Sequence, residues 1–270
     1  MTGMLSLAHS PCPNDTFVFH AWAHGLIEDA PPVDITFADV DVTNGAAERG
    51  AYDVVKVSYA ALPWLLHEYA LLPSGGALGR GCGPLVVTAG DVPGAGATVA
   101  VPGDRTTAYL LFRLWSAARP PARVEVVPFA GIMPAVRAGR YDAGLVIHEA
   151  RFTYQGYGLT CLADLGAWWE AETGLPIPLG AILARRRLDT ARLAAVVRES
   201  VERAWADPAA SAAYVARHAA EMDAQVQRRH IELYVNRFTA DLGEEGRAAA
   251  RTLLDRAAGA GITPPCPPLG

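Results

Sequence analysis

The chain has 270 residues, 51% of them apolar and 19% charged, which is enough for a sizeable packed core and excludes a largely disordered protein. Lys and Arg number 23 against 28 Asp and Glu, so the formal net charge is −5, and nucleic acid is excluded as the main partner because phosphate neutralisation needs a basic face. Twenty-two of the basic residues are arginine, and the single lysine is Lys56.

In chain order, the first ten residues carry neither the positive region nor the long apolar region of a secretion signal. No apolar run approaches the roughly 18–20 residues of a membrane span. A cytoplasmic protein without a membrane partner is the expectation. Cys12, Cys82, Cys161 and Cys266 lie far apart, with no CxxC pair and no histidine at zinc-ligand spacing. Reduced thiols and no metal are expected.

The first two-thirds alternates short β-branched runs with helical stretches. Strands are predicted at Leu5–His9, Val33–Phe37, Asp53–Val57, Leu85–Thr88, Thr98–Val101, Val124–Val127, Ala143–Ile147 and Ala181–Ala184. Helices are predicted at Asp15–His24, Tyr59–His67, Thr107–Ala118, Gly131–Ala138 and Leu165–Thr173. Near-continuous apolar strands separated by helices imply parallel sheets covered on both faces. From Asp189, a plausible N-cap, the pattern turns helical: Leu193, Val196, Val197, Val201, Ala204 and Trp205 recur at three and four and predict one buried face. Pro208 can open the next helix, two more are expected over Asp223–Phe238 and Gly243–Ala258, and the proline-rich tail from Thr263 should be extended. Gly79–Thr88 and Gly180–Ala184 read as crossings between lobes. The expectation is an α/β body of two lobes about a cleft, residues 1–88 with 180–270 in one lobe and 89–179 in the other.

Loops at the carboxyl ends of parallel strands should face that cleft. The first carries Ser10-Pro-Cys-Pro-Asn14-Asp15. Its prolines stiffen the backbone, Asn14 or Asp15 can cap the following helix, and the turn can present polar groups to a ligand. Lys56 and Ser58 point the same way along a strand, and a lysine there needs an anion. That anion is either a protein carboxylate, such as Asp15 or Glu68, or the substrate. In the second lobe Thr106 and Thr107 fall at a helix start, where free N–H groups, hydroxyls and the helix dipole can hold an anion. No triphosphate loop and no dinucleotide fingerprint is present. Farther on, a glycine-containing strand runs into His148-Glu149, with Arg151 two residues later. His148 stands at the cleft end of that strand as a candidate proton-transfer group.

Several of these segments resemble the 1,4-dihydroxy-6-naphthoate synthases: Ser-Pro-Cys-Pro-Asn-Asp-Thr-Phe at 10–17, Lys-Val-Ser-Tyr-Ala-Ala at 56–61, Thr-Thr-Ala-Tyr at 106–109 and Ile-His-Glu-Ala-Arg-Phe-Thr-Tyr at 147–154. Asp-Leu-Gly-Ala-Trp-Trp-Glu at 164–170 and Gly-Leu-Pro-Ile-Pro-Leu-Gly at 174–180 extend the resemblance along nearly the whole chain. It implies a type II periplasmic-binding-protein-like fold and a lyase of the futalosine route to menaquinone. That enzyme converts cyclic dehypoxanthine futalosine, a carboxylated small molecule, into 1,4-dihydroxy-6-naphthoate and a small sugar-derived ketone, with no metal or redox cofactor. It implies His148 as the base and Lys56, Val57, Ser58, Thr106 and Thr107 as substrate contacts. Ser10, Asn14, Asp15 and Arg151 are expected to line the cleft. Two other readings share the fold: a chorismate dehydratase of the same route, and a cytoplasmic binding protein without chemistry.

Overall fold

The structure is a computed structural model describing residues 3–90, 96–220 and 223–269. Two five-stranded sheets organise it. The first contains β1 (Leu5–His9), β2 (Val33–Phe37), β3 (Val54–Ser58), β4 (Tyr69–Gly79) and β10 (Ile177–Arg185) in the order β2-β1-β3-β10-β4. The second contains β5 (Leu85–Thr88), β6 (Thr98–Val101), β7 (Arg123–Val126), β8 (Ala143–Val146) and β9 (Thr160–Asp164) in the order β7-β6-β8-β5-β9. Helices of the first half are α1 (Pro13–Ala23), α2 (Val40–Glu48), the short α3 (Leu62–Leu65) after a 3-10 turn at Tyr59–Ala61, and α4 (Thr107–Trp115). Then come α5 (Phe129–Arg137), α6 (Ala150–Thr153) and α7 (Leu165–Thr173). The tail holds α8 (Thr190–Ala206), α9 (Pro208–His218), α10 (Ala224–Tyr234), α11 (Arg237–Ala240) and α12 (Gly243–Gly259).

All eight expected strands form, but the sheets are mixed rather than parallel. β1 is parallel to β2 and β3, whereas β10 is antiparallel to β3 and β4. In the second sheet β6 is parallel to β7 and β8, and β5 is antiparallel to β8 and β9. Each sheet thus accepts one reversed strand just after the chain crosses over. β5 pairs in the second sheet, so the chain changes sheets before Leu85 and not after residue 88. It returns with β10 at Ile177, ahead of residue 180.

Sequence periodicity missed β4, β9, α2 and α6. β4 escapes a pattern search because Pro73, Gly75 and Gly76 interrupt it. It is an edge strand, where proline is tolerated. Gly75 has φ +85°, and a Cβ there would stand 2.6 Å from Val197, so the glycine permits a close approach that a larger residue would block. α2 has a poor helical composition, with Thr43, Asn44 and Gly45 at its centre, and burial of Thr43 and Asn44 holds it in place. The predicted helix over Asp223–Phe238 is two helices, because Asn236 accepts from the N–H of Phe238 and restarts the chain as α11.

The expected cap is present at Asp189, which accepts from Arg192 N–H, and Pro208 opens α9 as expected, with Asp207 as the cap that the structure adds. Of the face predicted to be buried on α8, the structure leaves Trp205 exposed. At α1 the expectation fails. The helix begins at Pro13, and neither Asn14 nor Asp15 caps it. Both lie inside its first turn, which leaves their side chains to other partners. Every residue from Pro13 to Trp22 is buried, with α1 packed against α8 and α9. Residues 264–269 of the proline-rich tail form no helix or strand. Among the described residues, no helix is long and apolar enough to cross a membrane.

Candidate active site

A cleft of about 670 Å³ opens where the strand ends of both sheets meet. Ser10, Lys56 and Ser58 line it from the first sheet, Thr106, Thr107 and His148 from the second. Apart from Lys56, which lies within β3, these positions end or closely follow the carboxyl ends of β1, β3, β6 and β8, as expected for an α/β sheet.

Lys56 lies at the middle of β3 and its side chain is only 9% exposed. Its ammonium donates to Asp15 Oδ1 in a buried ion pair, so the protein supplies the first anion it meets. Asp15 also accepts from Ser10 Oγ at 2.6 Å and from Asn14 Nδ2 at 2.8 Å. Burial pushes the Asp15 carboxyl up, yet the charges of Lys56 and His9 and the hydrogen bonds outweigh it and hold the group below its usual value. Space for the lysine stem comes from Gly180 on β10, where a Cβ would lie 2.8 Å from Lys56 Cε.

Ser58 lies two residues on. Its N–H donates to Asn44 Oδ1 at 2.8 Å and its hydroxyl accepts from Asn44 Nδ2 at 3.1 Å. Asn44 Nδ2 also reaches the carbonyl of Arg105, at 3.3 Å, and so ties β3 to the loop before α4. Val57, expected at the site, places its side chain in the core with no solvent exposure. Alternation along the strand requires this once Lys56 and Ser58 face the cleft.

Thr106 is the N-cap of α4. Its hydroxyl donates to Gly103 O at 2.9 Å and accepts from Tyr109 N–H at 3.3 Å. The Thr107 hydroxyl donates to Leu179 O at 2.8 Å and accepts from Ala60 N–H at 3.3 Å, clasping α4 to the first sheet. Both hydroxyls expected to hold a ligand are therefore engaged by the protein. The first N–H groups of a helix have no intrahelical acceptor. Those of Tyr109 and Leu110 are met by Thr106, which leaves those of Thr107 and Ala108, both residues of the cleft wall.

His148 follows β8 with φ +50°, a left-handed conformation that is strained for a non-glycine residue and clusters at functional sites. Its ring meets Phe129 edge-on at 5.4 Å between centroids. Burial lowers its pKa to about 4, opposed in part by Asp15, so the imidazole is neutral at physiological pH. Arg151, expected on the cleft wall, turns elsewhere: it donates to Gly83 O at 2.7 Å and to Asp164 Oδ2 at 2.5 Å, bracing α6 against the crossing segment.

Sequence reasoning left His230 and Tyr234 in the helical tail, yet α10 brings both onto the cleft wall. His230 Nε2 lies 2.9 Å from Asn14 Oδ1, and its ring is 6.5 Å from that of His148, within 18° of parallel. Burial, then the neighbouring His148, lowers its pKa to about 3. No local signal marks it, because its partner precedes it by 216 positions. Burial raises the Cys12 thiol well above its usual value and the Cys82 thiol to about 12, so neither is a thiolate nucleophile at neutral pH. Among the described residues, no group of three or more His, Cys, Asp or Glu is placed to hold a metal ion.

Two mixed sheets with a cleft at their strand ends, lined by both polar and apolar residues, define a protein of the periplasmic-binding-protein-like class. The alkanesulfonate-binding protein SsuA of Xanthomonas axonopodis pv. citri shares the fold, with TM-score 0.70 over 97% of this chain and 94% of that one at 16% identity. A structure from Archaeoglobus fulgidus matches with TM-score 0.90 and 33% identity over 96% of this chain and 98% of that one. A family model described as menaquinone biosynthesis matches residues 5–259. The 1,4-dihydroxy-6-naphthoate synthase of Streptomyces coelicolor is 63% identical, covering 96% of this chain and 95% of that protein. That of Thermus thermophilus is 46% identical, covering 97% of each. The chain belongs to the 1,4-dihydroxy-6-naphthoate synthase family, enzymes of menaquinone biosynthesis.

Proposed function

We propose that this enzyme is a lyase that converts cyclic dehypoxanthine futalosine into 1,4-dihydroxy-6-naphthoate, with His148 as general base. The observation that carries the reading is the state of His148: a neutral imidazole on the cleft wall, held in a strained backbone conformation, with no hydrogen-bond partner for its ring among the described residues. A base must be unprotonated and within reach of the proton it takes, and a positioned one contributes ~10²–10⁴-fold. His148 removes a proton from the sugar-derived part of the substrate. The bond between that part and the ring system then breaks, its electron pair passes into the new ring, and aromatisation drives release of the ketone.

The substrate carboxylate has two candidate seats. Lys56 is already neutralised by Asp15, whereas the Thr107 and Ala108 N–H groups stand at the positive end of α4. That balance favours the helix start for the anion, with Lys56, Ser58 and Ser10 toward the hydroxylated part. The two sheets act as lobes that close about the substrate, residues 80–84 and 174–176 being the crossings between them, and closure excludes water from the reacting centre. Incubation of the purified protein with cyclic dehypoxanthine futalosine, and separately with chorismate, tests the reading. A naphthalene chromophore from the first substrate supports it. His148→Asn should bind substrate and lose turnover, and near-normal rates in that variant would remove His148 as the base.

A further inference from the structure

Lys56, Asp15, Asn14 and His230 form a continuous chain of buried polar groups, and each link dictates the next. The Asp15 carboxylate accepts from Lys56, Ser10 and Asn14. An ionised carboxylate only accepts, so the Asn14 amide must turn Nδ2 toward it, at 2.8 Å. Asn14 Oδ1 then faces His230 Nε2 at 2.9 Å. A carbonyl oxygen only accepts, so Nε2 carries the proton. A neutral imidazole has one, and Nδ1 therefore holds a lone pair.

That lone pair has no donor. His230 is 1% exposed, and its Nδ1 is buried without a hydrogen-bond partner among the described residues. A buried acceptor left unmet is destabilising, so its retention calls for a donor from outside the protein. The ring borders the cleft. Across from it stand the rings of His148 at 6.5 Å and Phe152 at 6.3 Å, both on segments following β8. Substrate arriving between the lobes would part those rings from His230 and bring a hydroxyl to Nδ1.

We propose that His230 is a second substrate-contacting histidine, whose Nδ1 accepts a hydrogen bond from a hydroxyl of the sugar-derived part of the substrate while His148 takes the proton that is removed. The lone lysine then serves the site in a second way, through the residues it holds. It fixes Asp15, Asp15 fixes the Asn14 amide, and the amide fixes the tautomer of His230. This inference rests on the cleft being the catalytic site proposed above.

Two measurements test it. Nitrogen NMR of the imidazole-labelled, unliganded protein should show His230 protonated at Nε2 and bare at Nδ1. Asp15→Asn, which frees the Asn14 amide to rotate, should mix the two tautomers. A proton on Nδ1 in the wild type would overturn the proposal. In kinetics, His230→Gln keeps an N–H donor near the Nε2 position and removes the Nδ1 acceptor. KM should rise about 10-fold, with kcat within about threefold, as for the loss of a ground-state hydrogen bond. A folded His230→Gln enzyme with unchanged KM would sink this inference alone. A wild type that makes no naphthoate would instead sink the reading of the cleft. Should the variant fail to fold, the tautomer measurement on the wild type still decides.

Discussion

Replacing Lys56 by methionine isolates the buried ion pair. Methionine keeps most of the apolar stem and removes the ammonium. Lys56 and Asp15 side chains are 9% and 1% exposed, so the variant strands a carboxylate that water barely reaches. Removing one partner of a buried pair costs roughly 3–5 kcal/mol. Ser10 and Asn14 still donate to Asp15, which places the expectation near the lower end, ~3 kcal/mol. For a chain of this size the melting temperature should fall by about 6–12 °C, at roughly 2–4 °C per kcal/mol. Thermal unfolding followed by circular dichroism reads the shift. The pH dependence supplies a second check. In the wild type the Asp15 carboxyl is held below its usual value, so its stabilisation is present above the ordinary carboxylate range and lost as pH falls through the folded value. In Lys56→Met the carboxyl can take up a proton instead, so the deficit should shrink as pH falls toward 4. Adding Asp15→Asn should recover much of the loss at neutral pH. A Lys56→Met variant that melts with the wild type at pH 7 would refute the burial argument. Lys56→Arg should be impaired in kinetics, because a planar fork does not fit the slot shaped for a compact ammonium over Gly180.

Four further outcomes are expected. His148 and His230 bind protons in the unfolded chain near the usual 6.5 but in the folded chain only near about 4 and about 3, so stability should decline as pH drops below roughly 6.5. His230→Gln should flatten that decline in denaturant titrations across the window. The acid limb of kcat/KM should accordingly fall near pH 4, and a limb near 6.5 would contradict a His148 held neutral by its surroundings. Gly180→Ala should displace the Lys56 ammonium and destabilise the protein by about 1–3 kcal/mol, with little effect in a Lys56→Ala background. Cys12→Ala should leave kcat within about twofold, since burial keeps that thiol protonated.

The strand-to-helix turns that carry Ser10, Thr106 and His148 were readable because they depend on local order: an apolar run, a glycine or proline stop, a capping residue. Thr106 caps α4 as its position predicts, and His148 ends on the cleft wall. The family was readable too, from motifs spread along the chain. The need of Lys56 for an anion followed from burial in a strand, and two carboxylates were in view. Tertiary structure chose Asp15, because Pro13 starts α1 early enough to set that side chain beneath β3. It also withdrew Val57 into the core, turned Arg151 toward Asp164, and engaged both threonine hydroxyls. β4 was hidden because its glycines answer to Val197 and Gly180 across the fold, and no neighbour in sequence announces that. His230 is the plainest case. A histidine on an amphipathic helix looks like any other until packing of α10 carries it to Asn14, and only the fold brings together hydrogen-bond partners so far apart in the chain.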